Sequence, residues 1–337
     1  MNDLYPLKFN PIYIEKIWGS RNLKSVLNKD IPENKEIGES WEISGVEDKN
    51  SIVCNGFLED NELNELIEIY MGDLVGDRIY DKFGNQFPLL IKFIDANKPL
   101  SVQVHPNDKI AKEKYEASGK TEMWYILHAK KDSELISGFN HEMDKEHYLN
   151  HFNKNEITNI LNFEKVKEGD VFYIPAGRVH SIGSGIVLAE IQQTSDITFR
   201  IYDWDRKDDS GNSRELHTQE ALDSIDFTTP ESYKENYKNI KNSTSEILST
   251  PYFETSIIDF DINIEKDYNQ LDSFVIYICT DGEFEIKYYD NEKIKIKKGE
   301  TVLIPSAIEH LTLIPVVPSK LLEVYIPDLE NEKNNKK

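Results

Sequence analysis

The sequence predicts a mainly β protein built as two small β-barrels with small helical insertions, and three observations carry that prediction. Strand-like segments such as WEISGV, PLLIKFI, LSVQVH, EMWYIL, VFYIPAG and GIVLAEIQQ are short and separated by Gly, Asn or Asp, the pattern of an all-β sandwich or barrel. Helical periodicity is confined to three places. Finally, VKEGDVFYIPAGRVHSI (166–182) is repeated as IKKGETVLIPSAIEHLTL (296–313), with Gly169, Ile174, Pro175 and His180 matching Gly299, Ile304, Pro305 and His310. A glycine turn, a strand, a proline corner and a returning strand make one hairpin of a small barrel, so two copies imply two barrels.

Taken in order, strand signals begin at KFNPIYI (8–14), and ELNELIEIYMGDLVG (62–76) gives the first helical insertion. The apolar run PLLIKFI (88–94) reads as a core strand, followed by LSVQVHPND (100–108), a strand broken by Pro106. DKIAKEKYEASGK (108–120) is an insertion with a short helix and loop before EMWYIL (122–127). The second helical insertion spans 144–162, and the third helical pattern, SRELHTQEALDSID, spans 213–226. These place a first barrel in residues 1–227, a polar linker at 228–250, a second barrel at 251–327 and a disordered tail at 328–337.

Composition narrows the function classes. The chain has 337 residues, 39% of them hydrophobic, enough for a sizeable core. Its 61 acidic against 39 basic residues give a net charge of −22, which repels phosphate backbones and argues against nucleic acid as a partner. A few local Lys and Arg residues can still bind one small phosphorylated molecule. No run approaches the roughly 18 apolar residues of a membrane helix, and the start has no basic, then apolar, secretory pattern. With only Cys54 and Cys279, no disulfide framework is indicated. The cytoplasm is the expected compartment, no membrane is expected as a partner, and the sequence leaves the oligomeric state open.

Strand alternation singles out the chemistry. In LSVQVH, Leu100, Val102 and Val104 point one way, while Ser101, Gln103 and His105 point the other. Gln103 and His105 therefore share a face, Glu122 opens the next strand, and His180 follows the proline corner. An amide oxygen, a carboxylate and two imidazoles suit zinc or another first-row divalent ion. The second hairpin has Ala307 where the first has Gly177, and no Gln-x-His nearby, so it reads as a degenerate, metal-free barrel. His147 and His151 are spaced as a helical pair but lack a third ligand; they, with His128, His141, His217 and His310, read as surface residues. Trp18 and Trp41 read as core.

The glycine, proline and histidine spacing at 169–180 resembles the second motif of the cupin superfamily, whose barrels are jelly rolls. More specifically, KIWGS (16–20), GESWEIS (38–44), LLIKFIDANKPLSVQVHPND, GKTEMWYIL, IPAGRVHSIGSG and EIQQTSDITFRIYDWDR (190–206) resemble the short bacterial form of the type I mannose-6-phosphate isomerases. The likeness covers most of residues 5–220. It implies one zinc per chain held by Gln103, His105, Glu122 and His180, and interconversion of mannose 6-phosphate and fructose 6-phosphate through a cis-enediol. It further implies roles for Arg200, Lys120 and Glu190 in catalysis, and for Ser101, Lys120 and Arg200 in binding substrate. Glu190, Lys120 and a metal-bound water are all candidates for the general base. Two other classes compete: a non-catalytic metal- or sugar-binding cupin, which would lose part of this set, and an oxygenase, which wants iron on a different triad. Arg200 could also simply pair with Asp196, Asp203 or Asp205. General cupins carry His-x-His and a closely following glutamate, whereas here the pair is Gln-x-His and Glu122 arrives only after the insertion.

Overall fold

The computed structural model describes residues 4–207 and 211–328. The fold is mainly β. In the first half, a seven-stranded antiparallel sheet runs in the order Ile12–Ser20, Ile37–Ile43, Leu89–Ala96, Ile186–Gln193, Glu122–Ala129, Val171–Ile174, Lys234–Glu235. A five-stranded sheet faces it, in the order Phe199–Tyr202, Val102–Val104, His180–Ser181, Glu134–Phe139, Leu161–Lys165. The second half repeats the plan with sheets of five and four strands. Among the described residues no sheet closes on itself. Closure requires the two edge strands to exchange hydrogen bonds, and here Ile12–Ser20 and Lys234–Glu235 are each paired on one side only.

The large sheet divides its residues between two cores by strict alternation. Ile94, Trp124, Ile126, Phe172 and Leu188 pack with Leu135 and Ile182 between the two sheets of the first half. Their neighbours Ile91, Phe93, Met123, Tyr125 and Ile191 face the other way. There they join Leu63, Leu66, Ile67 and, from the second half, Phe274, Ile276 and Leu322 in one cluster. The two halves thus share a core, and Leu7 bridges to Leu303 across it.

The helical patterns are realised in shortened form. The first becomes Leu63–Tyr70 and Gly72–Val75, followed by Asp77–Phe83, because Met71 and Gly76 turn to positive φ (46° and 95°) and break the helix. The second keeps Lys145–Asn153, capped by the Asp144 side chain, then gives way to a 3-10 turn and the strand Leu161–Lys165. The third is reduced to Thr218–Ser224. The insertion after Pro106 forms the helix Asp108–Tyr115, whose first turn is capped by the Asn107 side chain. Within the polar stretch 228–250, Lys234–Glu235 joins the large sheet and Thr244–Ser249 pairs with Glu254–Phe260. The tail from residue 329 lies outside the described residues.

Both copies of the repeated hairpin have matching turns, with Gly169 at φ 84° and Gly299 at φ 82°. A Cβ on Gly299 would stand 2.1 Å from the Leu27 carbonyl oxygen, so the halves meet closely there. Beside it, Lys29 donates to Glu42 at 2.6 Å and to the Gly299 carbonyl at 3.0 Å, and Ser40 completes the network on Glu42. Lys29 and Glu42 are both buried. Removing one partner of such a pair strands the other charge in the core. Lys29→Met should therefore lower unfolding free energy by about 3–5 kcal/mol, read as a shifted denaturant midpoint with the active site intact; an unchanged midpoint would refute the pair's role.

Candidate active site

Two facing sheets bring the polar residues together. On the large sheet, register aligns Trp41 with Lys92, Lys92 with Glu190 and Glu190 with Trp124. Two residues along the same face as Trp124, Glu122 stands opposite Gln192 and Ile174. On the smaller sheet, Gln103 pairs with His180 on one side and Arg200 on the other. His105 follows the end of the same strand, where its carbonyl accepts from the Gly177 N–H at 2.9 Å.

His105, Glu122 and His180 converge in the interior, their donor atoms all within 4.8 Å of one another. Each is about 1% exposed. The His105 Nδ1–H donates to the Ile197 carbonyl at 2.7 Å, and the His180 Nδ1–H to the Arg178 carbonyl at 2.8 Å. Those bonds fix the tautomers and leave both Nε2 lone pairs aimed at Glu122, the orientation metal-binding imidazoles adopt. His105 Nε2 lies 3.2 Å from Glu122 Oε1, and His180 Nε2 3.8 Å from Oε2. Lys120 Nζ stands 3.0 Å from Glu122 Oε1 as an ion pair. Among the described residues, however, neither Glu122 oxygen nor His105 Nε2 has a hydrogen-bond partner. Buried polar atoms are rarely left so; Lys120 compensates the charge at Oε1, and a metal cation among the three would satisfy His105 Nε2 and Oε2 as well. The Gln103 amide ends 3.2 Å from His180 Nε2, beside this cluster.

The electrostatics favour ligand-ready protonation states. Burial pushes the His105 imidazole down to about 3, with Lys120 adding to the effect, so its ring is neutral. His180 is lowered too, by burial first. Burial alone would raise the Glu122 carboxyl, but Lys120 and His105 hold it well below the usual carboxylate range. Glu190 goes the other way: burial, then the negative charge of Glu122, raises its carboxyl. It is held by Lys92 at 3.2 Å and by the Trp124 indole N–H at 2.9 Å.

A cavity of about 270 Å³ opens above this cluster, lined among others by Ser101, Gln103, Lys120, Glu190, Arg200 and Lys92. A larger hollow of about 350 Å³ lies around Lys130–Ile136 and Gly183–Gly185, away from these groups, and carries none of this chemistry. All eight residues singled out from the sequence therefore sit together. Arg200 makes no ion pair with Asp196, Asp203 or Asp205 among the described residues; its Nη1 donates to the Glu215 carbonyl at 2.7 Å. Trp18 and Trp41, assigned to the core, are buried and also line the cavity. His217 is not simply on the surface: its Nδ1 accepts from the Arg200 N–H at 3.1 Å.

Lys92 was not singled out. Its signal was a lone lysine inside the apolar run PLLIKFI, where a charge is almost never buried unpaired. Burial would lower its ammonium, but Glu190, Glu39 and Glu122 raise it, so it is charged, and it stands 5.1 Å over the Trp41 ring.

Residues 7–168 match the family model for the catalytic domain of type I phosphomannose isomerase, a segment that includes Gln103, His105 and Glu122. The chain is 36% identical to mannose-6-phosphate isomerase ManA of Bacillus subtilis, over 91% of this chain and 95% of that protein. It is 34% identical to mannose-6-phosphate isomerase of Streptococcus mutans, over 88% and 90%. The crystal structure of the Bacillus subtilis mannose 6-phosphate isomerase superposes with a TM-score of 0.85 at 31% identity, covering 95% of this chain and 99% of that one. A variant of Salmonella typhimurium phosphomannose isomerase shares the fold at a TM-score of 0.80 with 16% identity, over 96% and 100% of the two chains.

The cluster geometry makes a direct expectation about metal. Removing one ligand by His105→Ala or Glu122→Gln should weaken divalent-metal affinity by more than about 10²-fold, since loss of an outer-shell partner alone costs 10–100-fold. Competition against a chromophoric chelator measures this, and unchanged affinity in both variants would exclude the cluster as a metal centre.

Proposed function

The chain belongs to the type I phosphomannose isomerase family, and we propose that it interconverts mannose 6-phosphate and fructose 6-phosphate with one zinc ion held by Gln103, His105, Glu122 and His180. The observation that carries this reading is the convergence of His105 Nε2, His180 Nε2 and the buried Glu122 carboxylate beneath a polar cavity, with no hydrogen bond closing His105 Nε2 or either carboxylate oxygen among the described residues and Lys120 as the only cation paired with the carboxylate. Two nitrogens and a carboxylate, with the Gln103 side-chain amide beside them, form the mixed set that zinc accepts. When bound, the ion polarises the substrate carbonyl and stabilises enediolate charge as a Lewis acid.

The chain's own groups supply the rest. Glu190 takes the proton from the carbon beside the carbonyl and returns it to the former carbonyl carbon, while the hydroxyl proton passes from the adjacent oxygen to the former carbonyl oxygen. Its raised carboxyl is matched to that task, because a base works best when its pKa approaches the operating pH. Lys92 and Trp124 fix the carboxylate in place. Lys120 holds Glu122 and reaches the cavity wall, where it can neutralise a substrate oxygen. Arg200, immobilised through the Glu215 carbonyl and placed opposite Gln103, steadies the developing oxyanion with a fixed charge. Ser101 contributes a hydroxyl at the cavity rim. A binding protein without chemistry would not need a base so held. We place the protein in the cytoplasm, in keeping with its two free cysteines, and read each half as a cupin-type jelly roll, the first metal-bearing and the second degenerate.

A coupled assay with mannose 6-phosphate tests the reading. The protein should turn over, lose activity to a chelator and regain it with zinc. Arg200→Ala should keep its metal but lose about 10²–10³ in kcat. Zinc-loaded protein that shows no isomerisation would sink the proposal.

Glu190 makes the pH profile diagnostic. The base must be ionised, so activity falls as pH drops through its raised pKa, giving an acid limb above the range of an ordinary carboxylate. Glu190→Gln should abolish most turnover and remove that limb from what remains; a limb surviving unchanged in the variant would assign it to another group.

A further inference from the structure

The cleft carries a charge imbalance. Three of its four lysines are matched by carboxylates: Lys16 with Glu39 at 3.0 Å, Lys92 with Glu190 at 3.2 Å and Lys120 with Glu122 at 3.0 Å; the fourth, Lys49, lies 5.1 Å over the Trp41 ring. Two guanidinium groups, Arg200 and Arg214, line the same cavity. Arg206 stands behind them, and the buried carboxylate among the three is Asp203, 6% exposed. Asp196 and Glu215 are exposed.

Asp203 does not merely neutralise this cluster; it sets its geometry. Arg214 grips it side-on, Nε to Oδ2 at 2.7 Å and Nη2 to Oδ1 at 2.5 Å. Arg206 takes the same carboxylate through Nε at 3.2 Å and through Nη2, and its Nη1 donates to the Pro99 carbonyl at 2.6 Å. The Arg214 contacts use one edge of the guanidinium and leave Nη1 for a ligand. The next residue closes the arrangement, because the Glu215 carbonyl is what holds Arg200. One short return segment thus presents one arginine and pins the other. Among the described residues Arg200 Nε is buried without a hydrogen-bond partner, and its guanidinium is pushed down by burial first and then by the charge of Arg214. Two like charges held this close in a cleft, one with an unsatisfied buried donor, are the arrangement an anion relieves.

We infer that Arg214, held by Asp203, is the phosphate-anchoring side chain of the cleft and selects phosphorylated over unphosphorylated sugar. The inference rests on the proposed isomerase reading and deepens it. Arg200, closer to the metal ligands through its pairing with Gln103, serves the reacting oxygens, while Arg214 grips the dianion at the far end of the substrate.

The test compares wild type, R214A and R214K for turnover of mannose 6-phosphate and for inhibition by inorganic phosphate. In R214A, KM should rise by about 10- to 100-fold, as expected for a lost charge-assisted contact. The inhibition constant for phosphate should rise in step, with kcat falling far less and bound metal unchanged. R214K keeps the charge but loses the fork, so it should fall between the two; it also carries the test if R214A does not fold. Unchanged KM and phosphate inhibition, or a loss of metal that tracks the loss of activity, would overturn the assignment. If the wild type fails to isomerise mannose 6-phosphate, the functional reading fails separately. Calorimetric binding of inorganic phosphate, present in wild type and lost in R214A, would then still uphold the anion site, and equal binding by both would refute it.

Discussion

A carboxylate enclosed where water cannot reach it governs this molecule. Glu122 lies in the interior between two sheets, and an isolated ionised carboxylate there would cost far more than a small domain can supply. The structure meets that cost by surrounding it with positive charge and imidazole: Lys120 on its own segment, His105 from the short strand, His180 from the proline corner. Lys120 is local, but the two imidazoles come from other stretches of chain, so the fold must be complete before the carboxylate is fully enclosed. The same constraint sets the neighbourhood. Glu190 feels the negative field of Glu122 and carries a raised carboxyl. Lys92 is kept charged by three surrounding carboxylates.

Much of this was legible in the chain because strand alternation is a period-2 code. Ser101, Gln103 and His105 could be placed on one face from the order of residues alone, and the repeated hairpin located His180 at a strand start, where it is found. What could not be read was set by tertiary pairing. Lys92 lies in an apolar run and shows its role only once Glu190 stands beside it across the ladder. Asp203 offered itself as a partner for Arg200, but the chain returns after it and gives that carboxylate to Arg206 and Arg214 instead. The helix over 62–76 broke because Met71 adopts a left-handed conformation that hydrophobic periodicity cannot foresee. The open sheets likewise depend on where edge strands finish, which no local pattern encodes.

The two halves share a scaffold but place different residues at matching positions. Ile174 pairs with Glu122 in the first half; its counterpart Ile304 pairs with Val275 in the second. His180 pairs with Gln103, whereas His310 pairs with Asp267 and is exposed. A single apolar residue in place of the carboxylate removes the anchor around which the others gather. The second half retains instead a buried Glu323, contacted by Tyr268 and Lys266, on the strand equivalent to the one bearing Glu190. Its present contribution is apolar area laid against the back of the large sheet.

The excursion between His105 and Glu122 is fastened at its own base. The Lys120 N–H donates to the Pro106 carbonyl at 3.1 Å, and the Gly119 N–H to the Asp108 side chain at 2.9 Å. A loop tied at the neck transmits little of what happens at its tip. Residues 109–118 can therefore lengthen, shorten or change composition while the two ends keep their spacing, because a longer closed loop adds only a slowly growing entropic cost. The position of the carboxylate is in this sense addressed by the knot rather than by the length of the cord. The surface those residues form is left free to diversify without disturbing the ligands held at either end of the excursion.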